Sequence, residues 1–353
     1  MTFANKSNKS NKSNKSNKSA DAGDGGELDH AGGGSSAALS HALDAAALGL
    51  PGRHDAGDGA VPATGSPASV RQLNPRHLRS LLVDALTAGT RVEGALGGRP
   101  RITTGAGALD LDFPFNTVAE RRAQLQQVID ARWSRGDRIG EIVAQQTDLM
   151  SFLGLVHPVS DATHPMTLAL LEAVHEGIVR VTIRAKHRMS VVRPGRLSTA
   201  VNPVIQTPAH SACPSGHAAE AFGLAFVMEA LLIGAPSLEL RLVAARIEEN
   251  RVIAGVHYPN DGVQGRRLAA AVAREFLGRM GLPSGNVPPD GEIAAVEPGV
   301  EGVLDAYATG PAKITFGQEF APPASLGAPP AGASPEERAL RQVLEAALEE
   351  LRG

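Results

Sequence analysis

The chain has 353 residues, of which 42% are hydrophobic and 20% charged, and its formal net charge is -3. These values are typical of a soluble globular protein; they exclude a chain disordered from end to end, and they exclude overall basicity as a route to nucleic acid or membranes. The one cysteine, Cys213, excludes an intramolecular disulfide and a zinc site built from several thiolates.

The first 69 residues are predicted to form a disordered, low-complexity tail. The triplet Asn-Lys-Ser repeats five times between Asn5 and Ser19, and the chain up to Ser69 is rich in Gly, Ala, Asp and Ser, with at most a short helix around residues 37–48. Such sequence has few apolar side chains to bury. Because the tail also lacks the apolar stretch of a signal peptide, we expect a cytoplasmic location.

Helical patterns begin at about residue 70 and continue to about residue 283. Apolar residues recur at helical spacing, and capping residues precede several of the segments. The expected helices begin at Asn74 and Pro75 and then cover Val118–Trp133, Asp137–Met150, Met166–Met189, Ser215–Ile233, Ser237–Ile253 and Asn260–Met280. Strand-type alternation is scarce, so residues 70–283 are predicted to form an all-α domain, a helical bundle. No apolar run reaches the roughly 18–20 residues that would span a bilayer, and we expect no transmembrane segment.

The C-terminal part of the chain is predicted to be a linker followed by one helix. Residues 284–333 are rich in Pro and Gly, which is typical of a linker. In the final helix, Ser334–Gly353, Ser334 stands at the N-cap, Pro335 at the first helical position and Glu337 at the third, which is the capping-box pattern. The helix is amphipathic, so its apolar face either packs on the domain or mediates self-association.

A basic stretch without carboxylates points to an anion site. No Asp or Glu occurs between Glu176 and Glu220, although the chain as a whole is slightly acidic. The same stretch contains six cationic residues: Arg180, Arg184, Lys186, Arg188, Arg193 and Arg196. Such an interval suggests a site for an anion, although on charge alone a solvated basic helix face explains it as well.

Two segments of this stretch are suited to holding an oxyanion. Lys186 and Arg193 are seven residues apart, which on a helix places them on one face, about 10 Å from each other. Pro194 stops the helix directly after Arg193, so that this guanidinium lies at a helix end. Further on, Ser215 and Gly216 open another helical pattern, where a hydroxyl and backbone N–H groups face an anion with the help of the helix dipole.

Two histidines and an aspartate complete the candidate site. His217 lies in a first helical turn, a place suited to donating a proton. Arg251 precedes His257 by six positions, and Asp261 follows His257 by four, the separation that lets a carboxylate hydrogen-bond an imidazole and fix its tautomer. The set suits phosphoryl chemistry, in which cations hold the equatorial oxygens, one imidazole attacks in line and the other protonates the leaving group. No dense carboxylate cluster for magnesium accompanies it, which favours a metal-free mechanism.

These segments resemble the three-part signature of the type 2 phosphatidic acid phosphatase and vanadium haloperoxidase superfamily in both order and spacing. The matching segments are Lys186 to Pro194, Pro214 to His217, and Arg251 through His257 to Asp261. The resemblance implies a helical-bundle fold. It also implies that phosphate or vanadate is bound by Lys186, Arg193, Ser215, Gly216 and Arg251. One position departs from the family, because Asn250 precedes Arg251 where Ser is usual.

The resemblance also implies the catalytic roles. His257 would be the nucleophile that accepts the phosphoryl group, or the vanadium ligand if the protein is a peroxidase. Asp261 would orient His257, and His217 would be the general acid.

Two activities remain open, because five-coordinate vanadate resembles the transition state of phosphoryl transfer. The short connections between the three segments favour a metal-independent, acid phosphatase-like phosphoric monoester hydrolase without a cofactor. His210, five residues before Ser215, favours a vanadate-dependent haloperoxidase that oxidises halide with hydrogen peroxide, since vanadium bromoperoxidases also carry a histidine there. A third reading, a non-catalytic binder of an anion or of nucleic-acid phosphate, has no need of the His257 and Asp261 pair. We therefore expect a small-molecule phosphoester as the partner and no nucleic acid.

Overall fold

Helices form most of the structure. In the computed structural model, the described residues are 70–317, 319, 321–324, 326 and 333–353. They belong to one unit, Val70–Gly353. The predicted N-terminal tail and its short helix lie outside the described residues.

The α-helices are, in chain order, α1 (Pro75–Thr87), α2 (Val118–Ala131), α3 (Arg135–Ala144), α4 (Met150–Gly154), α5 (Pro165–Met189), α6 (Pro194–Leu197), α7 (Gly216–Met228), α8 (Leu238–Ile253), α9 (Pro259–Met280), α10 (Asp290–Ala295), α11 (Gly299–Leu304) and α12 (Pro335–Arg352). One π-helical turn, Glu229–Ile233, extends α7, and another, Asp305–Thr309, extends α11. The helical-bundle prediction is confirmed.

Local capping explains why the helices begin where the sequence indicates. Asn74 caps α1, and its side chain accepts a hydrogen bond from the first turn. Thr117 and Glu120 form a capping box at the start of α2, and Ser334 and Glu337 form one at the start of α12. These bonds satisfy N–H groups that a helix cannot pair internally.

A small antiparallel sheet, which the sequence analysis did not predict, lies between α1 and α2. Its strands are β1 (Arg91–Glu93), β2 (Arg101–Thr104) and β3 (Gly107–Asp110). In the register of the sheet, Ile102 on the central strand pairs with Val92 on one side and with Leu109 on the other, and all three side chains are buried. With one such residue per strand, the alternation of apolar and polar residues is too short to be recognised.

The helix predicted from Asp137 to Met150 is divided in two. α3 ends at Ala144, and α4 begins at Met150. Between them, Gln145 makes contact with residues of α7 and α8 through its backbone oxygen and its side chain. The break therefore helps to build the site described below.

The expectation of a linker over residues 284–333 needs correction for its first half. This part contains α10 and α11, and its residues Ile293, Val303 and Tyr307 are buried in the main hydrophobic core. Pro289 and Pro298 stand at the N-caps of the two helices. The prolines thus mark the ends of short helices rather than an extended segment.

The C-terminal helix packs within the chain, which is one of the two outcomes that the sequence left open. The apolar face of α12, including Leu340, Val343 and Leu344, is buried against α1 and α5. Glu350 of α12 accepts hydrogen bonds from the backbone N–H groups of Met166 and Thr167 in the first turn of α5, each at 2.9 Å. Self-association through Ser334–Gly353 stays a prediction.

The helix α7 lies at the centre of the bundle and contacts α5, α8 and α9. By length and composition, Gly216–Ile233 is the one helix in the described part of the chain that could cross a membrane, where the sequence analysis expected none. Within the structure 83% of it is buried, and a core helix of a soluble protein passes the same test.

Candidate active site

A pocket of about 260 Å³ opens where the end of α5, the start of α7 and the end of α8 meet. All of the predicted site residues line this pocket except Ser215 and Asp261, which are buried behind it. Residues that are up to 75 positions apart in the chain, from Lys186 to Asp261, are therefore brought to one place.

His257 lies in the connection between α8 and α9, and Asp261 holds its ring. Nδ1 of His257 is 3.1 Å from Oδ2 of Asp261, and the same oxygen accepts a bond from the backbone N–H of Tyr258 at 2.9 Å. The connection turns sharply at Gly255, which has a φ of +81°. A Cβ there would lie 2.9 Å from Cγ1 of Val201, so only glycine fits.

Burial controls the protonation of this pair. Burial, reinforced by the charges of Arg193 and Lys186, holds the pKa of His257 well below its ordinary value. The imidazole is therefore neutral near pH 7 and keeps a lone pair on one nitrogen. Burial also raises the pKa of Asp261 to about 6, against the opposing hydrogen bond from Tyr258.

Arg193 connects the two histidines at the pocket wall. Its Nη1 donates to the backbone oxygen of Val256 at 2.8 Å and lies 3.0 Å from Nε2 of His257. Its Nη2 lies 3.1 Å from Nδ1 of His210 and donates to the backbone oxygen of Ser211 at 3.2 Å. Burial lowers the pKa of Arg193 to about 10, which leaves the guanidinium charged at neutral pH.

Lys186 is held by the loop that precedes α7. Its Nζ donates to the backbone oxygens of Ser211 and Ala212, at 3.0 and 3.1 Å, and the residue is only 3% exposed. Burial lowers the pKa of Lys186 to about 7, the charge of Arg193 acts in the same direction, and Asp261 opposes both. The charge of this lysine is therefore sensitive to pH in the neutral range.

The start of α7 offers backbone donors, although not all of those expected. The N–H of Ser215 is used by the backbone oxygen of Asp261, at 2.8 Å, and its hydroxyl caps the helix by accepting from Ala218. Ser215 therefore supports the first turn of α7 from the side away from the pocket. In the described part of the chain, the N–H groups of Gly216 and His217 have no acceptor, as expected for a first helical turn.

Gly216 keeps this first turn open. A Cβ at this position would lie 3.2 Å from Oε1 of Glu220 and 3.7 Å from Cε of Lys186. A side chain would therefore fill the space between the lysine and the helix N-terminus, which is the space that an anion needs.

His217 is oriented by the turn that follows α3. Its Nε2 lies 2.9 Å from the backbone oxygen of Gln145, so Nδ1 is the nitrogen left for other partners. Burial lowers the pKa of His217; Glu220 opposes this effect, and Arg251 adds to it.

Arg251 has buried donors that suit an anion. Its Nη2 donates to Oε1 of Gln145 at 2.8 Å and to the backbone oxygen of Ile142 at 3.2 Å. Its Nε and Nη1 are buried, yet no described group accepts from them. Burial lowers its pKa to about 10, so the side chain stays charged. Unpaired buried donors on a charged group are costly, and a tetrahedral or five-coordinate oxyanion in the pocket would satisfy them.

Sequence reasoning missed three residues that contact this set. Gln145 binds both Arg251 and His217, while Glu220 lines the pocket and pairs with His175, whose Nε2 is 3.1 Å from Oε2 of Glu220. Glu220 follows His217 by three residues and so shares its helix face, which is the local signal that could have identified it. The long-range position of Gln145 has no local signal.

Asn250, the one departure from the family pattern, supports the site indirectly. Its Nδ2 donates to Oε1 of Gln145 and to Oε2 of Glu141, both at 3.1 Å. Its Oδ1 accepts from Nη1 of Arg138, also at 3.1 Å. Asn250 therefore fixes the glutamine that contacts Arg251.

A comparison with family models assigns the region around this site. Residues 165–280 match the model of the PAP2 superfamily. The matched segment covers 116 of the 353 residues. It runs from the start of α5 to the end of α9 and includes every predicted site residue, so the suspected resemblance is confirmed. A search of curated proteins finds no match to the chain.

The match of residues 165–280 to the PAP2 superfamily model supports an enzyme with phosphatase-like or haloperoxidase-like function in general. Among the described residues, no group of three or more His, Cys, Asp or Glu side chains is placed to hold a metal ion. The positive charge of the pocket comes from Lys186, Arg193 and Arg251.

Proposed function

We propose that this chain is a metal-independent phosphoric monoester hydrolase that works through a phosphohistidine on His257. The observation that carries the proposal is the pairing of His257 with Asp261 beside the unpaired donors of Arg251. A neutral imidazole whose Nδ1 is held by a carboxylate presents the lone pair of Nε2. Simple anion binding does not need such a group.

The substrate phosphate is held by positive charges and backbone donors. Arg251 supplies Nε and Nη1, Lys186 supplies charge, and the first-turn N–H groups of Gly216 and His217 supply directed donors. Arg193 contributes its positive charge next to Nε2 of His257, the nucleophile. Such fixed donors stabilise the charge that spreads over the equatorial oxygens in the transition state.

The reaction has two steps. Nε2 of His257 attacks phosphorus, the bond to the leaving oxygen breaks with its electron pair on that oxygen, and His217 gives the oxygen a proton. Water then attacks the phosphohistidine and gives a proton to the neutral His217. The phosphorus–nitrogen bond breaks, its electron pair returns to Nε2, and inorganic phosphate leaves.

A vanadate-dependent haloperoxidase is the second candidate, and the position of His210 favours it. His210 lines the pocket, and its Nδ1 is 3.1 Å from Nη2 of Arg193. The unpaired donors of Arg251 fit vanadate as well as phosphate, with Nε2 of His257 as the ligand to vanadium. Bound vanadate would supply activation of hydrogen peroxide for halide oxidation.

A parallel assay separates these candidates. One arm measures hydrolysis of p-nitrophenyl phosphate with vanadate as inhibitor, and the other measures bromide oxidation by hydrogen peroxide after vanadate loading. We expect hydrolysis without bromide oxidation. The opposite result would support the haloperoxidase, and saturable phosphate binding without turnover in either arm would support the non-catalytic binder.

Two variants assign the activity to the pocket. His257→Ala is expected to abolish hydrolysis. His164→Ala, at the opposite end of α5, is the matched control, because the one hydrogen bond of its ring to a described residue is to Thr163. Full activity in His257→Ala would exclude the phosphohistidine mechanism.

A further inference from the structure

Glu220 is an unexpected residue in a pocket built for an anion. Among the described residues that line the pocket, it is the one acidic side chain, and Lys186, Arg193 and Arg251 share the same walls. A carboxylate there repels a bound phosphate, so its position needs a reason other than substrate binding.

The carboxylate of Glu220 is fixed against the first turn of α7. Its Oε2 is 3.1 Å from Nε2 of His175 on α5. Its Oε1 lies 3.2 Å from the place where a Cβ of Gly216 would be. Burial raises the pKa of Glu220, but the hydrogen bond from His175 and the charges of His217, His175 and Lys186 outweigh it and hold the pKa below its ordinary value. Glu220 is therefore ionised at neutral pH.

The neighbours of His217 work against its protonation. Lys186 on α5 and Arg251 on α8 bring positive charge towards the ring, and the ring is largely removed from water. Opposing them are Glu220, which follows His217 on the same helix, and the backbone oxygen of Gln145, which accepts from Nε2. Among the described groups with the largest effects on the ring, Glu220 is the one with a negative charge.

We propose that Glu220, held by His175, is a positioning residue that favours the protonated form of His217, from which the proton passes to the leaving oxygen. This inference rests on the proposed function, in which His217 is the general acid. When the bond from phosphorus to the leaving oxygen breaks, that oxygen takes the electron pair of the bond and the Nδ1 proton of His217. Nε2 of His217 keeps its hydrogen bond to the backbone oxygen of Gln145. His217 is then neutral beside Glu220, ready to accept the proton of water in the second step.

The proposal predicts that Glu220 matters only when the leaving group needs a proton. A p-nitrophenolate leaves readily without one, whereas a primary alkoxide does not. For Glu220→Gln we expect kcat for butyl phosphate to fall by about 10- to 100-fold and kcat for p-nitrophenyl phosphate to change by less than about threefold. The alkaline limb of the pH profile for butyl phosphate is expected to move to lower pH.

Two controls isolate the charge of Glu220. Glu176→Gln removes a carboxylate next to His175 that pairs with Arg180 and does not line the pocket, and it is expected to leave both rates unchanged. In a His217→Gln background, a further Glu220→Gln substitution is expected to cost nothing more, because its effect passes through His217. His175→Gln keeps the charge of Glu220 but holds its carboxylate less firmly, so we expect a smaller fall of kcat for butyl phosphate.

The outcomes are distinguishable. If the wild-type chain hydrolyses neither ester, the proposed function fails and this inference fails with it. Two results would overturn only the role of Glu220 if the wild-type chain hydrolyses both esters. One is an equal fall of both rates in Glu220→Gln. The other is a further fall when Glu220→Gln is added to His217→Gln. The melting temperature of each variant shows whether a general loss reflects unfolding.

Discussion

Nη1 of Arg193 lies 3.0 Å from Nε2 of His257, the nitrogen that acts as the nucleophile in the proposed mechanism. A guanidinium can only donate, so Nε2 must be the acceptor and the imidazole proton must be on Nδ1, facing Asp261. The two partners of His257 thus select one tautomer from opposite sides. Arg193 therefore orients the nucleophile in addition to contributing charge to the phosphate site, and its hydrogen bond to Nε2 must break before that lone pair attacks phosphorus.

The dual role of Arg193 makes it sensitive to a charge-conserving substitution. Arg193→Lys keeps one positive charge but cannot reach Val256, His257 and Ser211 with one planar group. We expect kcat/KM for p-nitrophenyl phosphate to fall by about 10- to 100-fold. Arg196→Lys, at an exposed position in α6, is the matched control and should keep wild-type kinetics. Equal kinetics in the two variants would mean that only the charge of Arg193 matters.

The lowered pKa of Lys186 predicts how the affinity for an anion depends on pH. Its pKa is lowered to about 7, so the free enzyme loses this charge as the pH rises through that value. An anion binds the protonated form more tightly, so affinity is present below pH 7 and declines above it, by up to about tenfold per pH unit for one linked proton. The inhibition constant of sulfate, which keeps its charge between about pH 5.5 and about pH 9, measures this effect without titration of the ligand.

A variant assigns that pH dependence to the lysine. Lys186→Met is expected to bind sulfate weakly at every pH, with little slope above pH 7, since the pKa of His257 lies well below this range. A slope above pH 7 that persists in Lys186→Met would place the titrating group elsewhere.

Local signals account for the parts of the fold and site that could be predicted. Asn74, Thr117 and Ser334 cap helices through bonds to residues two to three positions away, so sequence alone identifies the helix starts. His257 and Asp261 are only four residues apart, so the contact between them also has a local signal in the sequence. Capping residues and apolar periodicity therefore predicted the helices, and motif spacing predicted the charged residues of the pocket, although Arg193 lies beyond the end of α5 rather than on that helix.

The features that were missed depend on contacts between distant parts of the chain. Gln145 accepts from Arg251 across 106 residues, and His175 contacts Glu220 across 45, so no local pattern records either pair. The short strands around Ile102 are stable because α9 covers them, and the segment after residue 283 is helical because Ile293 and its neighbours reach the core. Tertiary packing, rather than local preference, determines each of these.

Gln145 should affect substrate binding more than proton transfer. Its side-chain oxygen accepts from Arg251 at 2.8 Å, whereas His217 contacts its backbone oxygen, which every substitution preserves. For Gln145→Ala we expect KM to rise by about tenfold, because Arg251 loses a partner, with a smaller change in kcat. Gln126→Ala, on the exposed face of α2, is the control, since the one hydrogen bond of Gln126 to a described side chain is to Asp130. A fall in kcat without a change in KM would contradict this division.

Gly265 of α9 determines how closely that helix approaches the start of α7, where the backbone N–H groups face the pocket. A Cβ at this position would lie 2.7 Å from the backbone oxygen of Ser215 and 2.9 Å from Cβ of Ala218. Gly265→Ala must therefore push α9 away from the start of α7, which shifts the N–H groups that face the phosphate. We expect the free energy of unfolding to fall by about 1–3 kcal/mol and kcat to fall with it.

Gly278, in the last turn of the same helix, offers the matched comparison. It is exposed, and a Cβ there would meet nothing within 4 Å. Gly278→Ala should raise the free energy of unfolding by about 0.5–1 kcal/mol through helix propensity and leave kcat unchanged. Urea unfolding and p-nitrophenyl phosphate kinetics on both variants test the pair. If both variants behaved alike, α9 would not depend on close contact with α7, and the positions of the donors at Gly216 and His217 would need another explanation.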